Sequence, residues 1–527
     1  MIFLPDEPTL DLSASKPPST PTTTTKSPLW RPSLYPFQTQ SLSKLAPLEF
    51  GALFYEMGLG KSIMAISLFE HWSTLGLRRF IFVCPNSLTE TICIEALKWG
   101  STLKFKRFES SARTHRVNTV RSQDWDVLVV NYEALRTLYP EIIRQEPGGI
   151  VADEAQALKN RTAMQTRAAR AVFKSVKENH GPRLLMTGTP IAKNILDLWS
   201  QIDVLSPGPP AEHPLGLGNY NSFERGVAFI TRHPRLPQIK FHNFRPEVVK
   251  EVTERMAAFS VFKRSAEVLA DLPEQTWVTV PLTMGETQKK IYNALRREML
   301  AELSGTDVEP AVREVLKHYD IPAFDPGAFT VSTAFAPVLT MRLAQITSGF
   351  VHIDSGANVP LPGNVKLEWL RENLPALTDR DDNNKTVVFA RFIYDVDAIC
   401  KLCDELKIGH VRIDGSTSKD AGSAVEQFQR DPDIRVVVAN VQVGGQGFTM
   451  TAANTEVFYS NSYRNILRQQ ALKRIHRISQ ERPVTYYDLA CQRTVDYDIL
   501  DSLKADHDLA YATLDELKSA LINRGDA

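Results

Sequence analysis

The chain has 527 residues and carries 61 Lys and Arg against 61 Asp and Glu, which gives a formal net charge of zero. This length allows two or three domains with substantial cores, and the charge balance means that any nucleic-acid binding must use a local groove rather than global basicity. The five cysteines form no disulfide framework of a secreted protein, and no apolar run reaches membrane-spanning length.

The first part of the chain combines a polar leader with a repeating pattern. Ser13–Pro28 is rich in serine, threonine and proline, so residues 1–28 are predicted to be disordered. Residues 29–207 alternate short apolar runs with helical patterns, with strands predicted at 79–85, 126–132 and 183–190 and helices at 61–75 and 197–205. Strands that alternate with helices indicate an α/β lobe built on a parallel sheet with both faces covered.

The most informative motif is EMGLGKS, which ends at Ser62. Gly58 and Gly60 allow a turn whose backbone N–H groups point at phosphate oxygens, and Lys61 can reach the β- and γ-phosphates. Ser62 can offer its hydroxyl to Mg²⁺, and the helix that begins there adds its positive end. The full pattern has a glycine where this chain has Tyr55, so an ordinary glycine turn remains an alternative interpretation of this motif alone. The motif predicts ATP and Mg²⁺ as cofactors.

A second motif, GGIVADEAQALKN, occupies residues 148–160. Its apolar residues predict a buried strand with Asp153 and Glu154 at the carboxyl end, which is where open parallel sheets bind ligands. Asp153 would hold Mg²⁺, and Glu154 would polarise the attacking water. An acidic pair after an apolar run also occurs at helix starts and turns, but its order after EMGLGKS favours a nucleotide site.

A second lobe follows, with strands predicted at 385–392, 410–415, 434–440 and 455–461. It ends in QQALKRIHRISQ, residues 469–480, which is predicted to be a helix. On a helix Gln470, Arg474 and Arg477 share one face. Two interpretations stay open: a basic face in solvent, or arginines that reach the γ-phosphate of a nucleotide held by the first lobe.

Together, these motifs resemble those of the Swi/Snf-type ATPases of helicase superfamily two. The resemblance runs from about Leu34 to about Asp501 and comprises, in order, LYPFQTQSL, EMGLGKS, FVCPNSL, DEAQALKN, LLMTGTPIAKNILDLW, FKRSAEVLADLP, GETQKKIY, GGQGFTMTAAN and QQALKRIHRISQ. So many ordered matches are very unusual by chance.

The resemblance implies two RecA-like parallel-sheet lobes with helical insertions. It makes Gln38 the contact to adenine, adds Gly445 and Gln470 to the nucleotide site, and gives Arg474 and Arg477 a catalytic role. The implied domains are a leader at 1–28, the ATP-binding lobe at 29–207, an insertion, linker and helical protrusions at 208–334, the helicase C-terminal lobe at 335–495, and a C-terminal helical brace at 496–527.

The function implied is an ATP-dependent translocase on DNA, with duplex more expected than single-stranded DNA. Two alternatives are a strand-separating DNA or RNA helicase and a non-catalytic nucleic-acid-binding scaffold. We expect a monomer without membrane contact, in the cytoplasm of a bacterial or virus-infected cell, or in the nucleus of a eukaryotic cell. A basic cluster could line the DNA groove or be an ordinary solvated loop, and it comprises Lys104, Lys106, Arg107, Arg113 and Arg116.

Overall fold

We describe the protein from a computed structural model. It describes residues 30, 33–191, 195–232, 240–268, 272–304, 335–352, 357–380, 383–417, 421–444, 448–477 and 479–505. The chain forms two compact units that divide between residues 270 and 271. The predicted leader at 1–28 lies outside the described residues. Within the described part of the chain, no helix is long and apolar enough to cross a membrane.

The first unit is built on a seven-stranded sheet in the order β3, β4, β2, β5, β6, β1, β9, and every neighbouring pair is parallel. Its strands, with those of a separate hairpin, are β1 Phe50–Tyr55, β2 Phe80–Cys84, β3 Phe105–Arg107, β4 Val127–Asn131, β5 Gly149–Ala152, β6 Arg183–Met186, β7 Ala228–Arg232, β8 Lys240–Phe244 and β9 Ser260–Lys263. The hairpin of β7 and β8 is a two-stranded antiparallel sheet.

The helices of the first unit cover both faces of this sheet. They are α1 Pro36–Leu45, α2 Lys61–Thr74, α3 Thr89–Lys98, α4 Arg113–Arg121, α5 Tyr132–Ile143, α6 Met164–Glu178, α7 Leu196–Leu205, α8 Tyr220–Val227, α9 Pro246–Ala257 and α10 Ser265–Val268. Alternate residues of β2 enter two different cores, with Ile81 and Val83 on one side and Phe80 and Phe82 on the other. Burial on both faces is why these strands are continuously apolar in the sequence.

The second unit has a six-stranded parallel sheet in the order β10, β17, β16, β13, β15, β14. Its strands and the small β11–β12 pair are β10 Gln275–Leu282, β11 Phe350–His352, β12 Asn358–Pro360, β13 Thr386–Ala390, β14 Gly409–Ile413, β15 Ile434–Asn440, β16 Thr455–Phe458 and β17 Val484–Cys491. Its helices are α11 Glu286–Ser304, α12 Phe335–Thr347, α13 Val365–Leu377, α14 Ile393–Glu405, α15 Ala421–Arg430, α16 Val441–Gly444 and α17 Asn465–Leu472.

The lobe boundaries in the structure differ from those predicted from the sequence. Residues 208–334 were predicted to be insertion, linker and protrusions, yet β9 pairs with β1 in the first sheet and β10 forms an edge of the second. Residues 495–505 are helical and include the start of the predicted brace at 496, and Val495, Ile499 and Leu503 pack in a core with α11 and α12 of the second unit. The rest of the predicted brace lies outside the described residues.

Candidate active site

The EMGLGKS motif forms the turn between β1 and α2. Gly58 has φ +89° and Gly60 has φ +78°, in the left-handed region that glycine adopts without strain. A Cβ atom at Gly60 would lie 2.5 Å from Nε2 of Gln38, so any side chain there would have to displace that amide. Because α2 begins at Lys61, the turn is followed directly by the positive end of a helix. The turn therefore has the shape and polarity of a phosphate cradle.

Lys61 reaches back to the last residue of β1. It is 9% exposed, and its Nζ donates a hydrogen bond of 3.1 Å to the carbonyl oxygen of Tyr55. The Tyr55 side chain points towards α1, where its hydroxyl lies 2.7 Å from Oγ of Ser41 and 3.1 Å from the carbonyl oxygen of Phe37. The residue that replaces the expected glycine thus packs outside the cradle, and its size does not disturb the turn.

Gln38 is buried beside the same turn. Its Nε2 donates a hydrogen bond of 2.9 Å to the carbonyl oxygen of Leu59, and its Oε1 accepts one of 3.0 Å from the backbone N–H of Tyr35. Both ends of the amide are therefore bonded to backbone, and Gln38 supports the turn. Its contact with adenine stays a prediction.

Asp153 follows β5 and lies near Lys61. Its Oδ1 accepts a hydrogen bond of 2.9 Å from the backbone N–H of Glu154, and its carbonyl oxygen accepts one of 2.7 Å from the hydroxyl of Tyr132. Burial raises the pKa of the Asp153 carboxyl, the charge of Glu154 raises it further, and the Lys61 ammonium lowers it. The structure thus brings the two predicted carboxylates and the predicted lysine into one electrostatic group, in which a further cation would favour the charged form of Asp153.

Glu154 is linked by hydrogen bonds to a segment for which the sequence analysis predicts no role. It has φ +51°, an uncommon conformation for a residue with a side chain and one that is found at active sites. Its Oε2 accepts a hydrogen bond of 2.7 Å from Nε2 of Gln156, whose Oε1 accepts one of 2.6 Å from the hydroxyl of Thr187. Thr187 Oγ1 in turn accepts one of 3.0 Å from the N–H of Thr189. This chain of bonds joins Glu154 to the TGTP turn after β6.

In the second unit, one prediction about the arginines is wrong. The helix α17 ends at Leu472, so Arg474 and Arg477 lie beyond it and do not share a helix face with Gln470. Arg474 is 6% exposed, which excludes the interpretation of a fully solvated basic helix face for that residue. Gly445, also predicted to belong to the nucleotide site, lies outside the described residues.

Both arginines instead turn towards residues 448–449. Arg474 Nε donates to the carbonyl oxygen of Gln470 at 2.7 Å, and its Nη1 donates to the carbonyl oxygen of Phe448 at 3.0 Å. Arg477 Nη1 donates to the hydroxyl of Thr449 at 2.6 Å. These bonds bring both guanidinium groups to the same short segment.

The predicted basic cluster is largely paired with acidic side chains. Lys104 and Lys106 both contact Asp124, the latter at 3.2 Å, and Arg107 lies 3.0 Å from Glu90. These groups are at least partly exposed, where ion pairs contribute little to stability. The cluster is not a loop, since it includes parts of β3 and α4, and its contact with DNA stays a prediction.

Models of two known protein families match the sequence of this chain. A model of the SNF2-related domain matches residues 47–320, more than half of the 527 residues, and a model of the helicase conserved C-terminal domain matches residues 365–479. The chain belongs to the SNF2-related family. This family consists of ATP-dependent enzymes of helicase superfamily two, so the predicted family, the fold class of two RecA-like lobes and the enzyme class are confirmed.

Individual SNF2-family relatives are distant. An uncharacterized ATP-dependent helicase of Mycoplasma genitalium is 25% identical over 478 residues, which cover 88% of this chain and 40% of the relative. The TATA-binding protein-associated factor mot1 of Schizosaccharomyces pombe is 24% identical over 540 residues, 93% of this chain and 27% of the relative. The chain therefore spans less than half the length of these relatives. The solved SWI2/SNF2 ATPase core of Sulfolobus solfataricus in complex with double-stranded DNA is 21% identical, covers 94% of this chain and 97% of its own, and has a TM-score of 0.41.

Proposed function

We propose that this SNF2-related chain hydrolyses ATP with Mg²⁺ and uses the energy to move along duplex DNA. The observation that carries the proposal is the grouping of Lys61, Asp153 and Glu154 at the ends of β1 and β5, with Glu154 bonded through Gln156 to Thr187. A phosphate cradle beside one carboxylate for a metal and another for water is the arrangement that phosphoryl transfer requires.

Each residue of the group has a distinct task in this proposal. Ser62, in the first turn of α2, and Asp153 would hold Mg²⁺, a metal that keeps several waters and takes few protein oxygens. Lys61 would neutralise the phosphate charge. Glu154 accepts a bond from Gln156, which fixes its carboxylate so that it can orient the attacking water.

The reaction chemistry alone does not choose between motion on duplex DNA and strand separation. Our choice of the first rests on the similarity of the chain to proteins named for chromatin remodelling and for association with a TATA-binding protein, whereas another relative is named an ATP-dependent helicase. We further propose that the protein acts as a monomer inside the cell, in the cytoplasm of a bacterial or virus-infected cell or in a eukaryotic nucleus. The five cysteines are free thiols, which fits a reducing compartment.

The test is the ATPase rate with no nucleic acid, with duplex DNA, with single-stranded DNA and with RNA. Lys61→Ala serves as the control without turnover. We expect duplex DNA to give the largest stimulation, and the same protein to displace a third strand from a triplex without separating a plain duplex. A preference for RNA or single strands would support a strand-separating helicase, and no turnover under any condition would support a scaffold.

A further inference from the structure

The peptide between the two carboxylates of the candidate site is hydrogen-bonded on both sides. Its N–H group, which belongs to Glu154, donates a hydrogen bond of 2.9 Å to Oδ1 of Asp153. Its carbonyl oxygen, which belongs to Asp153, accepts one of 2.7 Å from the hydroxyl of Tyr132. The orientation of this peptide is therefore set by one local bond and by one bond from an earlier part of the chain.

This orientation imposes an uncommon backbone conformation on Glu154. The residue has φ +51° and ψ 50°, in the left-handed region, which residues with a Cβ occupy only where surrounding contacts enforce it. If the peptide turned over, Glu154 would return to a negative φ and the peptide would lose both of its hydrogen bonds. The hydroxyl of Tyr132 thus stabilises the conformation in which Oε2 of Glu154 lies 2.7 Å from Nε2 of Gln156.

Tyr132 is itself held in a fixed position. It is the first residue of α5, and its predecessor Asn131 caps this helix by accepting a hydrogen bond of 2.7 Å from the N–H of Ala134. Nδ2 of Asn131 also donates a bond of 2.6 Å to Oδ1 of Asn86, which follows β2. The ring of Tyr132 is buried in the main core of the first unit. The fold therefore places this hydroxyl independently of its bond to Asp153.

The hydroxyl of Tyr132 also keeps its proton. Burial raises the pKa of Tyr132 well above the usual range of a phenol, and the negative charge of Asp153 raises it further. A neutral phenol can donate its O–H, and a backbone carbonyl can only accept, so the direction of the bond is fixed. Because the acceptor is a backbone oxygen, the effect of Tyr132 on the Glu154 carboxylate passes through the peptide.

We propose that Tyr132 is a positioning residue for ATP hydrolysis, whose hydroxyl holds the peptide between Asp153 and Glu154 so that Glu154 can orient the attacking water. The inference rests on the proposed function, in which Glu154 has that task. It gives a role to a residue that lies outside both nucleotide motifs, in the sequence between them.

The experiment uses the full chain and four variants: Tyr132→Phe, Glu154→Gln, these two combined, and Ser200→Ala. Phenylalanine keeps the buried ring and removes only the hydroxyl. Ser200→Ala is the matched control, because Oγ of Ser200 donates a buried hydrogen bond of 2.6 Å to the carbonyl oxygen of Leu158, further along the same segment. The rate of a single turnover is measured with ATP, Mg²⁺ and duplex DNA, and the affinity for ATP is measured by isothermal titration calorimetry.

We expect Tyr132→Phe to hydrolyse ATP about tenfold more slowly, the size of effect that one lost hydrogen bond to a buried carbonyl can have. Its affinity for ATP should stay within about twofold of the parent, because the change acts on the water and not on the phosphate cradle. Added to Glu154→Gln, the same change should alter the rate by no more than about twofold, since the positioned carboxylate is already absent. A purely structural role would instead slow both backgrounds by the same factor. Ser200→Ala should hydrolyse ATP within about twofold of the parent.

Three results would overturn the proposal. They are hydrolysis by Tyr132→Phe within about twofold of the parent, an equal loss in Ser200→Ala, and a further loss of about tenfold when Tyr132→Phe is added to Glu154→Gln. The Glu154→Gln variant separates this inference from the proposed function. If it hydrolyses ATP at the parent rate, the proposed role of Glu154 fails and the inference fails with it. If it loses turnover while Tyr132→Phe does not, only the role of Tyr132 is overturned.

Discussion

The substitution Gly60→Ala tests the phosphate cradle most directly. An alanine at φ +78° costs about 1–2 kcal/mol, the penalty of the left-handed region for a residue with a Cβ. The new Cβ would lie 2.5 Å from Nε2 of Gln38, so the amide must move and lose its bond to Leu59, which costs about 1 kcal/mol more. If the turn of the free protein relaxes to another conformation, ATP binding must restore the cradle at a total cost of about 2–3 kcal/mol. This cost corresponds to ATP binding weakened roughly 30-fold to 150-fold. Isothermal titration calorimetry with ATP and Mg²⁺ measures this change.

The matched control is Gly76→Ala at the other end of α2. Gly76 has φ +86°, but a Cβ there would meet no atom within 4 Å. This variant therefore bears the same backbone penalty without displacing a neighbour. Both variants should unfold at a lower temperature, and only Gly60→Ala should lose affinity for ATP. The reasoning would be refuted by ATP binding of Gly60→Ala within about threefold of the parent, or by an equal loss in Gly76→Ala.

Two further substitutions test other parts of the site, and a third tests a buried carboxyl group in β16 of the second unit. Glu154→Gln should bind ATP normally but lose turnover by roughly a hundredfold or more in a steady-state assay, and normal turnover would contradict its role with water. Arg477→Lys should likewise keep ATP binding and lose DNA-stimulated turnover by about a hundredfold, because lysine lacks the planar fork of arginine; a change within about twofold would contradict a catalytic role. Burial raises the pKa of the Glu456 carboxyl to about 8, although the positive charges of Arg468 and Arg474 lower it. Below that pH the protonated form therefore dominates in the folded state. The free energy of unfolding should therefore fall as pH rises from about 4.5 to 8, by at most about 5 kcal/mol, and urea unfolding of Glu456→Gln should lack this part of the fall.

The sequence predicted those parts of the structure that depend on local patterns. The predicted strands at 126–132 and 434–440 are present as Val127–Asn131 and Ile434–Asn440 because strands buried on both faces leave an uninterrupted apolar run. The helix predicted to begin at Lys61 does so, since a glycine turn sets its start. In both cases the determining residues are neighbours in the chain.

Features that depend on distant partners could not be predicted in this way. The strand β9 is only Ser260–Lys263 and pairs with β1 far earlier in the chain, so the local sequence predicts only insertion and linker there. The sequence predicts a helix over residues 469–480, whereas α17 ends at Leu472 and Arg474 bonds to Phe448, a contact that no local pattern reveals. Thr187 joins Glu154 only because β5 and β6 are adjacent in the sheet. A glutamine two positions after Glu154 was the one local indication of that connection.

Glu56 connects the phosphate cradle to a later segment of the chain through two hydrogen bonds. The N–H of Glu56 donates a hydrogen bond of 3.0 Å to the carbonyl oxygen of Lys263, and its carboxylate accepts one of 2.6 Å from the N–H of Ser265. These two residues lie at the end of β9 and the start of α10, just before the chain passes into the second unit. The phosphate cradle is therefore hydrogen-bonded directly to the segment that leads to the second unit.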